Sequence, residues 1–146
     1  MVTTITIIAV YLAMRIGHDT GDHPVQTGWQ AANKGHDWRA LLGHVGTYTV
    51  CTSALVLLAG LLPDVEYSPL GFVLGQVFSA ATHVVIDRRP WFATAMSVIG
   101  KAEFYRLGAP RPGRDDNPSL GTGAYALDQW AHRVCLAAAS VITATI

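Results

Sequence analysis

The feature that most constrains this chain is an uncharged run. Leu41–Leu62 (LLGHVGTYTVCTSALVLLAGLL) passes 22 positions without Asp, Glu, Lys or Arg and ends at Pro63. About 20 apolar residues in succession are what a helix needs to cross a bilayer. Three further apolar stretches accompany it: Val2–Ile16, Leu70–Ile86 and Ala124–Ile146. Leu70–Ile86 lies at the lower edge of spanning length. The first stretch is short, and the last is polar in its opening turns, so these two fit a thin bilayer or one whose headgroups receive their polar ends. Val2–Ile16 has the length of a signal peptide, but it lacks a basic start. Arg15 is followed by GHDTGDH rather than a small-residue cleavage site, so we read it as a helix of the folded protein.

Composition agrees with a membrane protein. Charged residues make up 14% of the 146, against about 25% in an ordinary soluble domain. That excludes a disordered chain, and the even balance of ten bases and ten acids excludes a nucleic-acid binder working through a basic surface. Cys51 and Cys135 lie in apolar runs without metal-ligand spacing, so neither a disulfide scaffold nor a zinc finger is indicated. The expected architecture is a single all-α domain over residues 1–146. It is a four-helix transmembrane bundle with one cytoplasmic interfacial helix between helices 3 and 4, on which Trp91, Phe92, Ala95, Met96 and Ile99 fall at helical spacing. The Gly/Pro/Asp-rich stretch that follows, with Asp115 and Asp116, reads as an irregular loop. Gly71 and Gly75 form a GxxxG pattern that predicts a close helix contact.

With four spans, residues 17–40 and 88–123 lie on one side, and 63–69 lies on the other with both termini. All ten Lys and Arg then fall on the first side, while the second holds Asp64 and Glu66. Basic loops stay in the cytoplasm, so both termini are expected outside. Trp29, Trp38, Trp91 and Trp130 fall near the cytoplasmic helix ends, where indoles anchor at the interface.

The histidines divide the same way. His18, His44, His83 and His132 each fall near the cytoplasmic end of a different segment, with Asp19, Asp22, Asp87 and Asp128 beside them. His83 and Asp87 are four apart, as are Asp128 and His132, which puts each pair on one helix face. His18 and Asp22 join them if the first helix runs on through Gly21. Imidazole with carboxylate suits zinc foremost, and also manganese or iron. A mononuclear or dinuclear centre can be drawn from His18, Asp22, His44, His83, Asp87 and His132. The plainer alternative is a His–Asp hydrogen-bond network stapling four helices without a metal, and haem held between His44 and His132 is a further one. Asp19 or Asp128 can serve as general base, and Gln26, Lys34, Arg88 and Arg89 can bind a phosphate.

The order His18, Asp22-His23, Gln26-Thr27, Lys34-Gly35, His44, Thr82-His83, Asp87, Asp128-Gln129 and His132 resembles the membrane proteins grouped as domain of unknown function 3307. GAPRPGRDDNPSLGTGAYALDQ resembles the actinobacterial and actinophage branch. His23 departs from the pattern, standing where that family has an aromatic. The resemblance implies a small polytopic membrane protein. The chain is also similar to the family of membrane-bound metal-dependent hydrolases, which share a His/Asp pattern at helix ends. The expected function is hydrolysis of a phosphoester or lipid-linked substrate at the membrane interface, with a divalent metal, the lipid bilayer as partner, and room for an oligomer. The alternatives are a metal-stabilised membrane scaffold without enzymatic activity and a soluble four-helix bundle.

Overall fold

The computed structural model describes residues 4–111 and 121–146; Asp115 and Asp116 lie outside the described residues. Among the described residues there are helices and turns and no strand. The four long helices are α1 (Thr4–Thr20), α3 (Trp38–Ala59), α4 (Pro69–Asp87) and α7 (Gly123–Thr145). Between them lie α2 (Gly28–Asn33), α5 (Arg89–Val98) and α6 (Ala102–Tyr105).

Local sequence sets most of the helix starts. Asp37 caps α3 by accepting from the Arg39 and Ala40 amides. Ser68 caps α4, with Pro69 at its first position, and Thr122 caps α7. Each side chain satisfies an amide that has no partner within the helix. Thr27 and Gln30 form a reciprocal capping box on α2. The end of α1 departs from expectation. It runs beyond Ile16 to Thr20 and passes directly into a π-helical turn, Gly21–Val25. Pro24 within that turn has no amide hydrogen to continue an α-helical ladder. The wider turn leaves Asp22 buried against the bundle.

Each long helix packs on two others in the cyclic order α1, α3, α4, α7. Glycines permit the closest approaches. A Cβ on Gly75 would lie 1.9 Å from Thr143 Oγ1, and one on Gly71 would lie 2.5 Å from the Thr143 carbonyl oxygen, so the GxxxG pattern is the α4–α7 contact. Gly17 brings α1 against α3, where a Cβ would lie 2.7 Å from Thr52 Cα. The amide of Glu66 donates to Thr6 Oγ1, which gathers the start of α1 and the α3–α4 turn at one end of the bundle. The opposite end carries α2, the π turn, α5 and α6.

The bundle buries polar side chains beside an apolar core and is apolar outside. Thr6, Thr52, Gln76, Ser79, Ser140 and Thr143 are buried, while Ile5, Ile8, Leu12 and Ile16 form an exposed stripe along α1. A core of Val10, Met14, Val56, Leu136 and Ala139 fills the half away from the histidines. By length and composition α3 and α4 can each cross a membrane, and only 33% of the most apolar window of each is buried. α1 and α7 do not meet that measure, because α1 is 17 residues long and α7 begins with polar turns. The expectation of four spans therefore narrows to two helices on this measure. The single interfacial helix expected in the second loop is two, α5 and α6, and its stripe is split. Phe92 and Met96 pack inward with Ile86, whereas Trp91 and Ile99 are exposed.

Candidate metal centre

Four imidazoles and two carboxylates meet at the end of the bundle that carries α2 and the π turn. α1 supplies His18, the π turn Asp22, α3 His44, α4 His83 and Asp87, and α7 His132. Each of these six residues is at most 5% exposed, whereas His23 and His36 are exposed. The spacing explains the gathering. His83 and Asp87 share one face of α4, and the continuation of α1 into the π turn sets Asp22 Oδ2 3.5 Å from His18 Nε2.

One group of donors has the dimensions of a coordination shell. His44 Nε2 lies 3.0 Å from His83 Nε2, and Asp22 Oδ1 lies 3.2 Å from the former and 3.5 Å from the latter. Asp87 Oδ2 is 3.0 Å from His83 Nε2 and 3.3 Å from His44 Nε2. A tetrahedral ion with bonds of ~2.0–2.1 Å would hold its ligands about 3.3–3.4 Å apart. A second group joins His83 to His18 and His132, with one ring nitrogen of each within 4.8 Å of the others. His132 Nε2 is buried without a hydrogen-bond partner among the described residues, and His18 Nε2 has Asp22 Oδ2 at 3.5 Å. Leaving a buried polar atom unpaired costs about 1–3 kcal/mol, so these ring nitrogens are open to a cation. The ring centroids within the cluster are 4.5–5.5 Å apart, a packing that leaves no slot for a porphyrin.

Neighbouring groups hold the donors in place. His132 Nδ1 meets the Asp128 carbonyl oxygen at 3.0 Å and its carboxylate at 3.5 Å. His18 Nδ1 lies 3.4 Å from Asp19 Oδ1. Tyr48 stacks on His83 at a centroid distance of 3.9 Å and bonds to Ser79 through its hydroxyl. Its place one turn after His44 on α3 was the sequence signal for it. Lys34 Nζ reaches Asp87 Oδ2 at 3.0 Å and His44 Nε2 at 3.1 Å. Burial alone would raise the Asp22 carboxyl. The hydrogen bond from His44, with His83, His18 and Lys34 close by, outweighs burial and holds it below the usual carboxylate range.

The cluster opens into a cleft of about 560 Å³. Asp22 and Asp87 line it together with Lys34, Arg89, Gln26, Asp128 and Gln129, and Phe92, Tyr105 and Tyr125 supply apolar wall. Gln26 donates to the Asp22 carbonyl oxygen and has its own Oε1 unpartnered. Arg106 also lines the cleft, and nothing in its sequence context marked it. Two expected site residues stand elsewhere. Arg88 lies at the α4–α5 junction, where the chain turns, and its guanidinium sits over the Trp38 ring at 4.6 Å rather than lining the cleft. Asp19 is ion-paired with Arg15 and is likewise absent from the cleft wall, so it supports His18 instead of facing a substrate.

Neither a curated protein nor a solved structure matches the chain. Residues 8–146 match the family described as Protein of unknown function (DUF3307), a span that includes every residue of the cluster, and the chain belongs to that family.

Proposed function

We propose that this protein is a metal-dependent hydrolase of the membrane interface, acting on a phosphoester or lipid-linked phosphate. The observation that carries the reading is the cluster's position: Asp22 and Asp87 belong at once to the donor group and to the wall of a cleft bearing Lys34, Arg89 and Arg106. A divalent cation such as zinc would supply Lewis acidity there and lower the pKa of bound water toward ~7. The three bases hold the anionic substrate through charge-assisted hydrogen bonds. Asp128 borders the same cleft and is oriented by the Gln129 amide, which donates to its Oδ2. It takes the proton of the attacking water as the phosphorus–oxygen ester bond breaks, and the departing alkoxide is protonated from solvent.

The membrane setting is part of the proposal. The polar interior, the exposed apolar stripe of α1 and the two helices of spanning length support a bundle that crosses the bilayer four times. Trp29, Trp38, Trp91 and Trp130 are each about half exposed, as indoles in a headgroup layer are. The distribution of bases supports a cleft on the cytoplasmic side with both termini outside.

The test uses the full chain purified in detergent. Bound metal is measured by elemental analysis, and hydrolysis is followed on a phosphodiester reporter and on lipid phosphates in vesicles. Chelation should abolish turnover and zinc should restore it, with His83→Ala losing both metal and turnover. Turnover indifferent to chelator, or protein that binds no metal, would overturn the reading. One observation favours a non-enzymatic scaffold: the Lys34 ammonium already joins Asp87 to His44 as a staple. A scaffold predicts full metal occupancy with no turnover of any phosphate ester.

A further inference from the structure

The donors fall into two groups rather than one. Asp22, His44 and His83 form the first, at the cleft, and His18, His83 and His132 form the second. The two groups meet at His83. Asp22 also faces both ways, with Oδ1 toward His44 and His83 and Oδ2 toward His18. The imidazoles of the second group are prepared as ligands. His18 and His132 each turn Nδ1 toward an aspartate, Asp19 and Asp128 respectively, and each keeps a buried Nε2 that makes no hydrogen bond, with Asp22 Oδ2 3.5 Å from that of His18. An imidazole steered through one nitrogen so that the other is free is the usual arrangement behind a metal-ligating histidine.

Charge calls for one dication and leaves a second to be balanced by a ligand. Asp19, Asp22, Asp87 and Asp128 surround the cluster, while the bases in contact with them are Arg15 and Lys34. Neutral imidazoles add nothing to offset the four carboxylates. One dication corrects that imbalance, and a second is neutralised by an anionic substrate in the cleft.

We propose that the cluster is a two-cation centre. The outer position at the cleft is held by Asp22 Oδ1, His44 and His83 with Asp87 alongside, and the inner position by His18 and His132 with Asp22 Oδ2, so that the Asp22 carboxylate bridges the two. The inner position presents mainly imidazole nitrogen, which favours zinc and other first-row transition ions over magnesium or calcium. The inference rests on the metal-site reading above and deepens it from one ion to two. Two ions side by side clamp the attacking and departing oxygens of a phosphoryl transfer, which fits a phosphate ester as substrate.

The experiment is a cobalt(II) and zinc titration of the chelator-stripped full-length protein in detergent, read by visible absorption and by elemental analysis after desalting. Two equivalents are expected, with His132→Ala and His18→Ala each binding one and His44→Ala losing the other. Circular dichroism of each variant shows whether it has kept its helices, and the wild-type stoichiometry stands as a test without any variant. A single equivalent in the wild type, or two equivalents retained by His132→Ala, overturns the two-cation centre while the hydrolase reading survives. No bound metal in the wild type overturns both.

Discussion

Removal of the Lys34 ammonium should destabilise the metal-free protein and strengthen its hold on metal. Lys34 Nζ lies 3.0 Å from Asp87 Oδ2, and their side chains are 12% and 3% exposed. At that separation and an effective dielectric near 20, the attraction is about 5.5 kcal/mol before desolvation. Breaking a buried pair by deleting one partner costs about 3–5 kcal/mol. Lys34→Met leaves Asp22 and Asp87 among neutral imidazoles with no permanent cation in contact. For a chain of this size the midpoint of thermal unfolding should fall by about 6–20 °C. Zinc reverses the sign. In the wild type the ammonium occupies space beside His44 Nε2 and Asp87 Oδ2 that an ion needs, so an ion must displace it. The variant has no competitor, and zinc should raise its midpoint by more than it raises the wild type's. The assay is unfolding followed by tryptophan fluorescence in detergent, with chelator and with zinc. Equal midpoints without metal, or equal zinc shifts, would rule out this role for Lys34.

Gly75→Val should separate α4 from α7, because its Cβ would lie 1.9 Å from Thr143 Oγ1 and 3.0 Å from the Ala139 carbonyl oxygen. Overpacking of this kind costs about 1–3 kcal/mol, and a lowered unfolding midpoint with unchanged helix content checks it. Arg106→Ala and Arg89→Ala should raise the KM for a phosphate ester several-fold and leave bound metal unchanged, whereas Arg88→Ala should leave KM alone and lower stability through the lost Trp38 contact; steady-state kinetics beside elemental analysis separate these outcomes. Acid should release the metal as the imidazoles protonate, since ligands bind only when deprotonated. Asp22 is not the cause of that release. Its carboxyl is held below the usual range, so its stabilising share is complete above an ordinary carboxylate pKa and is lost only as pH falls through the depressed value. Metal loss should therefore track protonation of the imidazoles rather than of Asp22, and a dialysis series at falling pH checks it. Leu12→Arg should hinder insertion of α1 while α3 and α4 stay in the membrane, because Leu12 is half exposed on α1 and an arginine at the centre of a span costs about 2.5–3.5 kcal/mol. Unchanged accessibility of an introduced N-terminal cysteine to an impermeant thiol reagent would count against α1 as a span.

The sequence made the long helices and the histidines of the site legible for one reason: both depend on spacing along a single helix. The pairs His83/Asp87 and Asp128/His132 required only a helical period, and the GxxxG of Gly71 and Gly75 required only small residues facing a neighbour. Asp22 was harder, since its place depends on a π turn that Pro24 imposes just beyond α1. Arg88 and Arg89 could not be told apart, because the backbone turn at the α4–α5 junction sends one guanidinium to Trp38 and the other to the cleft. Asp19 matched a general base by residue type, and its pairing with Arg15 one helical turn away took it out of the cleft. Arg106 has no local pattern at all. It reaches the cleft through the folding back of α5 and α6, which is a tertiary fact.

The site also bears on what holds the bundle together. His18, Asp22, Lys34 and His44 come from the first half of the chain, and His83, Asp87 and His132 from the second, so the cluster lies on the seam between α1–α3 and α4–α7. Along that seam the apolar core of Val10, Met14, Val56, Leu136 and Ala139 is joined by polar contacts: Tyr48 with Ser79, and Thr52 Oγ1 donating to Gln76 Oε1 at 2.8 Å. In water, burial of the apolar outer face would compete with these contacts. In a bilayer that face is already solvated by lipid, and close packing with polar bonds must join the halves instead. Cations bound to the His18/His132 and Asp22/His44/His83 donors would add a clasp across the seam. Ion loading and assembly of the two halves become one equilibrium, and stripping the metal should loosen the α3–α4 and α1–α7 contacts before it melts any single helix.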